Sequence, residues 1–137
     1  KMDIITMARQ LGQQIQESEA YINYAACKQK NDEDKELQEL IGQFNLLRMS
    51  LGNEISREEE KKDKEKIKRL NSELNDCYSN IMQNDNMMRF NAAKEAVDTM
   101  VNQITTIIGL SVEGEDPMTC AAEHSCSGSC SSCGGCH

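Results

Sequence analysis

The chain has 137 residues, one domain's worth, with 38% hydrophobic residues, 4% aromatic residues and no Trp, so any core must be filled by Leu, Ile, Met and Val. Its net charge is −8, and the basic residues are interleaved with acids, most densely from Arg57 to Arg69, which excludes the clustered cations needed for strong direct nucleic-acid binding or adsorption to an anionic membrane. There is no apolar run of eighteen residues and no basic stretch leading into an apolar block and cleavage site, so no membrane span or secretory signal is read, a cytoplasmic location is expected, and seven Cys read as thiols or metal ligands, not a disulfide framework.

Breakers are rare before the end of the chain: there is one Pro, and four of the eight Gly lie beyond residue 113. Aliphatic stripes on a charged, breaker-poor background predict an all-α fold, an antiparallel helical bundle or hairpin of four to five helices. Residues 3 to about 17 form the first predicted helix. Asp3 is its cap, and Ile4, Ala8, Leu11 and Ile15 share one face. Ser18 restarts a second helix running to Lys30, with Tyr21, Tyr24 and Ala25 turned inward. Asn31 to Asp34 is a polar break.

The third helix carries Leu37, Leu40, Ile41, Phe44, Leu47 and Leu51, with Gly52-Asn53 as its weak point. From Arg57 to Arg69 nearly every residue is charged. The pairs Glu58–Lys62, Glu60–Lys64 and Glu65–Arg69 are four apart, and at about 0.2–0.5 kcal/mol each they favour a solvated helix. The fourth helix continues through Ile67, Leu70, Leu74, Cys77 and Ile81. Asn84 to Asn86 is a polar turn. The fifth helix holds the most regular seam, through Phe90, Ala93, Val97, Met100, Val101, Ile104, Ile107 and Ile108. That seam is long and narrow and the chain is lean in apolar mass. A partner chain is therefore expected to complete the core, most simply as a symmetric homodimer, with a monomeric bundle as the plainer reading.

Composition changes at Gly109, which divides the chain into a helical domain, residues 2–112, and a linker and Cys-rich tail, residues 113–137. The tail spells Cys120-x5-Cys126-x3-Cys130-x2-Cys133-x2-Cys136-His137. Thiolates are soft ligands, and gaps of two and three residues let the backbone curl around one centre, eased by the intervening Ser and Gly. Structural zinc prefers two ligand pairs separated by a long loop. Bacterial ferredoxins hold iron–sulfur clusters with gaps of two, two and three, which this tail shows in reverse order. The spacing leans toward a [4Fe–4S] cluster over zinc. Cys126, Cys130, Cys133 and Cys136 are the candidate cluster ligands, with Cys120 or a partner's thiolate able to replace one. Cys120 and His137 complete the wider set of candidate metal ligands, although His137 also reads as a passive end residue. A redox-sensitive or metal-scavenging tail without a fixed cofactor is the plainer alternative.

No catalytic residue is proposed. Cys77 falls within an apolar stripe and reads as a buried small residue. Cys27 is similar but more open, and neither has a His nearby. His124 has no Ser or Asp arrangement around it, and Glu58 to Glu60 read as a solvated face. No phosphate loop and no HExxH is present.

Four segments, Met2-Asp-Ile-Ile-Thr-Met-Ala-Arg9, Tyr21 to Lys28, Asp34-Lys-Glu-Leu-Gln-Glu-Leu-Ile41 with Phe44, and Asn86-Met-Met-Arg-Phe-Asn-Ala-Ala-Lys94, resemble the YlbF/YmcA family of bacterial regulators. The resemblance spans roughly residues 2 to 108. It implies an α-helical, dimer-forming protein without catalytic activity of its own. It also implies assembly with related subunits into a complex associated with ribonuclease Y, which influences messenger-RNA processing, competence, sporulation and biofilm formation, and it implies [4Fe–4S] clusters ligated by cysteines. These packing and capping motifs specify a fold better than an activity. Two other readings of the tail remain: a metal chaperone or storage protein, and a thiol redox enzyme. The second lacks the strand–helix context of a thioredoxin-like Cys-x-x-Cys.

Overall fold

The structure, a computed structural model, describes residues 2–123. Five α-helices follow one another: α1 Ile4–Glu17, α2 Glu19–Glu33, α3 Lys35–Ile55, α4 Lys64–Gln83 and α5 Asp85–Val112, with a single 3₁₀ turn, Glu59–Lys61, between α3 and α4. The all-α expectation holds among the described residues.

Each helix opens on one capping residue. Asp3 starts α1, its carboxylate accepting from the Thr6 N–H at 3.0 Å and the Thr6 hydroxyl at 2.7 Å. Ser18 is extended (φ −70°, ψ 150°), its Oγ accepting from the Tyr21 N–H at 3.3 Å to open α2. Asp34 opens α3 by accepting from the Leu37 N–H at 3.0 Å. Asp63 opens α4 through the Lys66 N–H at 3.0 Å, and Asn84 opens α5 through the Met87 N–H at 3.0 Å.

Two compact units divide between Lys94 and Glu95, inside α5. In the first, α3 and α4 form an antiparallel hairpin. Leu37 near the start of α3 clusters with Cys77 and Ile81 near the end of α4, and Leu40, Ile41, Phe44, Leu47 and Met87 pack around them. Phe44 lies 6.0 Å from Tyr78 between ring centroids. Tyr24 on α2 packs against Phe90 at 5.6 Å, which brings α2 to the start of α5. The second unit contains the rest of α5 and the turn that follows it.

Four local readings need correction. Asn31–Asp34 is not a break as a whole: α2 runs through Glu33 and only Asp34 leaves the helix. Asn31 is buried, with its carbonyl accepting from Gln38 Nε2 at 2.9 Å and its amide 3.5 Å from Met87 Sδ. Ala25 is exposed, while Tyr21 and Tyr24 are half-buried together with Ala20 and Cys27. Gly52-Asn53 does not interrupt α3, which continues to Ile55, where the Ser56 hydroxyl donates to the Gly52 carbonyl at 2.7 Å.

The charged stretch is the fourth correction. From Arg57 to Asp63 it is a loop with one 3₁₀ turn, and only its second half, Lys64 to Arg69, is helical, as the first turns of α4. Three residues per turn bring i and i+3 together, so the ion pairs formed are Glu58–Lys61 at 3.6 Å and Glu59–Lys62 at 2.9 Å. The buried Glu54 organises this loop. Its carboxylate accepts from the Asp63 N–H at 3.0 Å and from Arg57 at 3.2 Å, with Lys66 Nζ at 3.7 Å. The Asp63 N–H, followed by Arg57 and Lys66, holds the Glu54 carboxyl below its ordinary range.

Candidate metal centre

The candidate ligands begin just past α5, and the end of that helix is closely determined. Gly114 takes φ +98°, a left-handed conformation that a Cβ would strain. The Gly114 N–H donates to the Ser111 carbonyl at 3.1 Å and the Glu115 N–H to the Leu110 carbonyl at 3.0 Å. These two bonds form a Schellman stop, which satisfies the last carbonyls and turns the chain away from the helix axis. The following Asp-Pro then nucleates one more turn. Asp116 Oδ1 accepts from the Met118 N–H at 2.9 Å, and the Asp116 carbonyl accepts from the N–H groups of Thr119 (3.2 Å) and Cys120 (2.9 Å). Pro117 fits because its fixed φ suits a first helical position and its absent N–H has no partner to lose there.

Cys120 sits at the end of this turn. It is a half-buried free thiol with its Sγ 3.9 Å from the Pro117 carbonyl. Cys126, Cys130, Cys133, Cys136 and His137 lie outside the described residues, as does His124. Of the candidate donor set, Cys120 alone is therefore placed by the structure. The described residues contain no group of three or more His, Cys, Asp and Glu side chains placed to hold a metal.

The two remaining thiols are far from this set in sequence. Cys77 is buried in the α3–α4 cluster, where its thiol donates to the Leu40 carbonyl at 3.3 Å. Cys27 is half-buried on α2, with its Sγ 3.8 Å from Asn23 Oδ1. It lines a shallow depression with Asn23, Ala26, Lys30, Asn86 and Arg89. No His lines that depression and no acid–base pair meets there, so it presents no recognisable catalytic set.

Two polar features escape the sequence reading. One is Glu54. The other is a latch in which Asp34 Oδ2 accepts from Asn84 Nδ2 at 3.2 Å and Asn86 Nδ2 at 2.9 Å while its Oδ1 caps α3. The Leu37 N–H, then Asn86 and Asn84, holds the Asp34 carboxyl below its ordinary range. The cap could be read from Asp before an apolar stripe. The asparagine partners lie fifty residues away and leave no local signal.

No helix among the described residues is long and apolar enough to cross a membrane. No curated protein matches the chain. Among solved structures, an X-ray crystal structure of Bacillus subtilis RicA in complex with RicF is similar in fold. The TM-score is 0.72 at 20% sequence identity, over 80% of this chain and 93% of that one. The family model described as control of competence regulator ComK, YlbF/YmcA, matches residues 4–113, ending where α5 is capped and before the first tail cysteine. A match over that much of the sequence, on an all-helical fold shared with RicA, places this chain in the YlbF/YmcA family of regulators.

Proposed function

We propose that this protein is a non-enzymatic regulatory adaptor of the cytoplasm, which assembles as a homodimer or with related family subunits and carries a soft-metal centre on its tail, residues 113–137. The observation that carries the reading is the position of five thiols directly behind the capped end of a regulatory family's fold. The neighbouring RicA was crystallised with RicF, a precedent in that protein for association with another subunit. By the same analogy, this chain would act on messenger RNA through a ribonuclease Y-associated complex, with effects on competence, sporulation and biofilm formation. Its net charge of −8 fits work through a protein partner better than direct contact with RNA.

The donor chemistry fits an iron–sulfur cluster. Cys126, Cys130, Cys133 and Cys136 would hold it, with Cys120 or a partner's thiolate replacing one, and zinc is the alternative metal. Such a cluster supplies an oxygen-sensitive centre. The residues' own part is to bind as thiolates and, once bound, to order a segment rich in Ser and Gly that has almost no apolar side chain to fold around. Metal occupancy thereby becomes a change in the surface offered to a partner.

The test is the visible absorbance of anaerobically purified protein, compared with a variant in which Cys126, Cys130, Cys133 and Cys136 are Ser. Charge-transfer bands in the parent and none in the variant are expected. A colourless parent with stoichiometric zinc would rule out the cluster.

A further inference from the structure

One face of α2 and the start of α5 enclose a depression of about 170 Å³. Asn23, Ala26, Cys27 and Lys30 line it from α2 at helical spacing, and Asn86 and Arg89, three apart, line it from α5. Both helices are pinned at this point. Tyr24 packs on Phe90 at 5.6 Å, Asn31 Nδ2 lies 3.5 Å from Met87 Sδ, and Asp34 holds Asn86 Nδ2 at 2.9 Å. The two lining faces are therefore set relative to each other before any ligand arrives, which lowers the cost of binding one.

The charge of this lining is opposite to that of the chain. The chain carries −8, with 23 acids against 15 Lys and Arg, yet the lining holds two cations and no acid. Neither Lys30 nor Arg89 forms an ion pair among the described residues. A second depression on α2 has the more usual arrangement: Lys28 pairs with Asp32 at 3.3 Å, and Glu33 lines the same space. Asp34, which reaches Asn86, already accepts from the Leu37 N–H, Asn84 and Asn86, so its charge is met within the fold. The Cys27 thiol engages Asn23 through its Oδ1 at 3.8 Å, which leaves the Asn23 amide N–H groups to donate. Asn86 stands in the first turn of α5, at the positive end of a 28-residue helix. A guanidinium fork, an ammonium and amide donors are the groups that receive an oxyanion. Two cations match a phosphoryl group, which carries about −1.5 to −2 near neutral pH, whereas a single carboxylate would leave one cation unmatched. The space is smaller than the ~300–1,000 Å³ of sites that enclose a drug-sized molecule, so it suits the phosphoryl group alone.

We propose that this depression is a phosphoryl-binding site, in which Arg89 and Lys30 grip the oxygens and Asn23 and Asn86 orient them, and that it takes free phosphate or the phosphoryl end of a small phosphate monoester. The site gives the helical body an input of its own, separate from the metal chemistry of the tail.

The test is titration of the isotope-labelled full chain, reduced and oxygen-free, with inorganic phosphate and separately with methyl phosphate, read by NMR as backbone and Asn side-chain amide shifts. Sodium chloride at matched ionic strength is the control. Saturable shifts centred on Asn23 to Lys30 and Asn86 to Arg89 are expected with at least one probe. Tighter binding of inorganic phosphate identifies a free-ion site, and tighter binding of methyl phosphate a monoester site. Lys30→Gln and Arg89→Gln should each weaken binding by about tenfold, while Lys28→Gln in the second depression should leave it unchanged. All three side chains are exposed, so the folded spectrum should persist in each variant. Shifts that chloride reproduces, shifts that never saturate, no shifts with either probe, or binding indifferent to both Lys30→Gln and Arg89→Gln would overturn the proposal.

Discussion

At Asp34 a single carboxylate joins two helix junctions. One oxygen caps α3 and the other receives Asn84 and Asn86, and Asn84 itself caps α5. Glu54 does the same work at the other end of the hairpin, receiving the Asp63 N–H, Arg57 and Lys66. Both carboxyls are lowered in the folded state by these donors. Their contribution is therefore full above the unfolded-state values near pH ~4 and is lost as pH falls through the lower folded-state values. Glu54→Gln should melt below the parent at pH 7, and the gap between the two should narrow as the buffer is taken below pH ~4. Equal melting temperatures at neutral pH would remove Glu54 from its organising role. Asp34→Asn should also melt earlier, because its amide would face two amide donors.

Leu37 is the fully buried side chain at the centre of the α3–α4 cluster. Leu37→Ala should cost about 2–5 kcal/mol, read as a lower urea midpoint. The same substitution at the exposed Leu46 should cost far less.

Among the elements, the apolar stripes made α3, α4 and α5 readable. Leu37, Leu70, Cys77 and Ile81 lie where the three-and-four spacing puts them, and each becomes buried. Asp3 and Ser18 were readable as caps for the same reason: a short oxygen-bearing side chain precedes the first helical turn. The loop from Arg57 to Asp63 is not readable, because charge pairs four apart are compatible with helix but too weak to impose it, whereas Lys64 to Arg69 is helical as expected. Its fold is set by Glu54, a residue outside the stretch, whose buried carboxylate holds the Asp63 N–H. The helix-like turn at Asp116–Cys120, at the passage from linker to tail, is not legible either, although Asp-Pro is a start signal when the chain has just been stopped at Gly114. Gly114→Ala places a Cβ in the left-handed region and should cost about 1 kcal/mol. The loss should appear as faster amide exchange over the last turn of α5, with the α3–α4 core unchanged.

At the scale of the whole molecule, the sequence separates two kinds of information. The helical body specifies a fold, and a family match over residues 4–113 agrees with the motifs that carry the resemblance. The cysteines from Cys120 onward lie beyond that match, so their role rests on their chemistry and spacing. Body and tail can fail separately. A chain ending at residue 117 should keep its helical content and its self-association while losing all bound metal.

The account depends most on what the tail holds. The most direct measurement is iron and acid-labile sulfide per chain in protein purified without oxygen, with and without residues 118–137. Iron and sulfide in equal amounts in the full chain, and neither in the shortened one, is the expected result. A full chain free of iron and sulfide under those conditions, or one whose metal survives removal of residues 118–137, would contradict it.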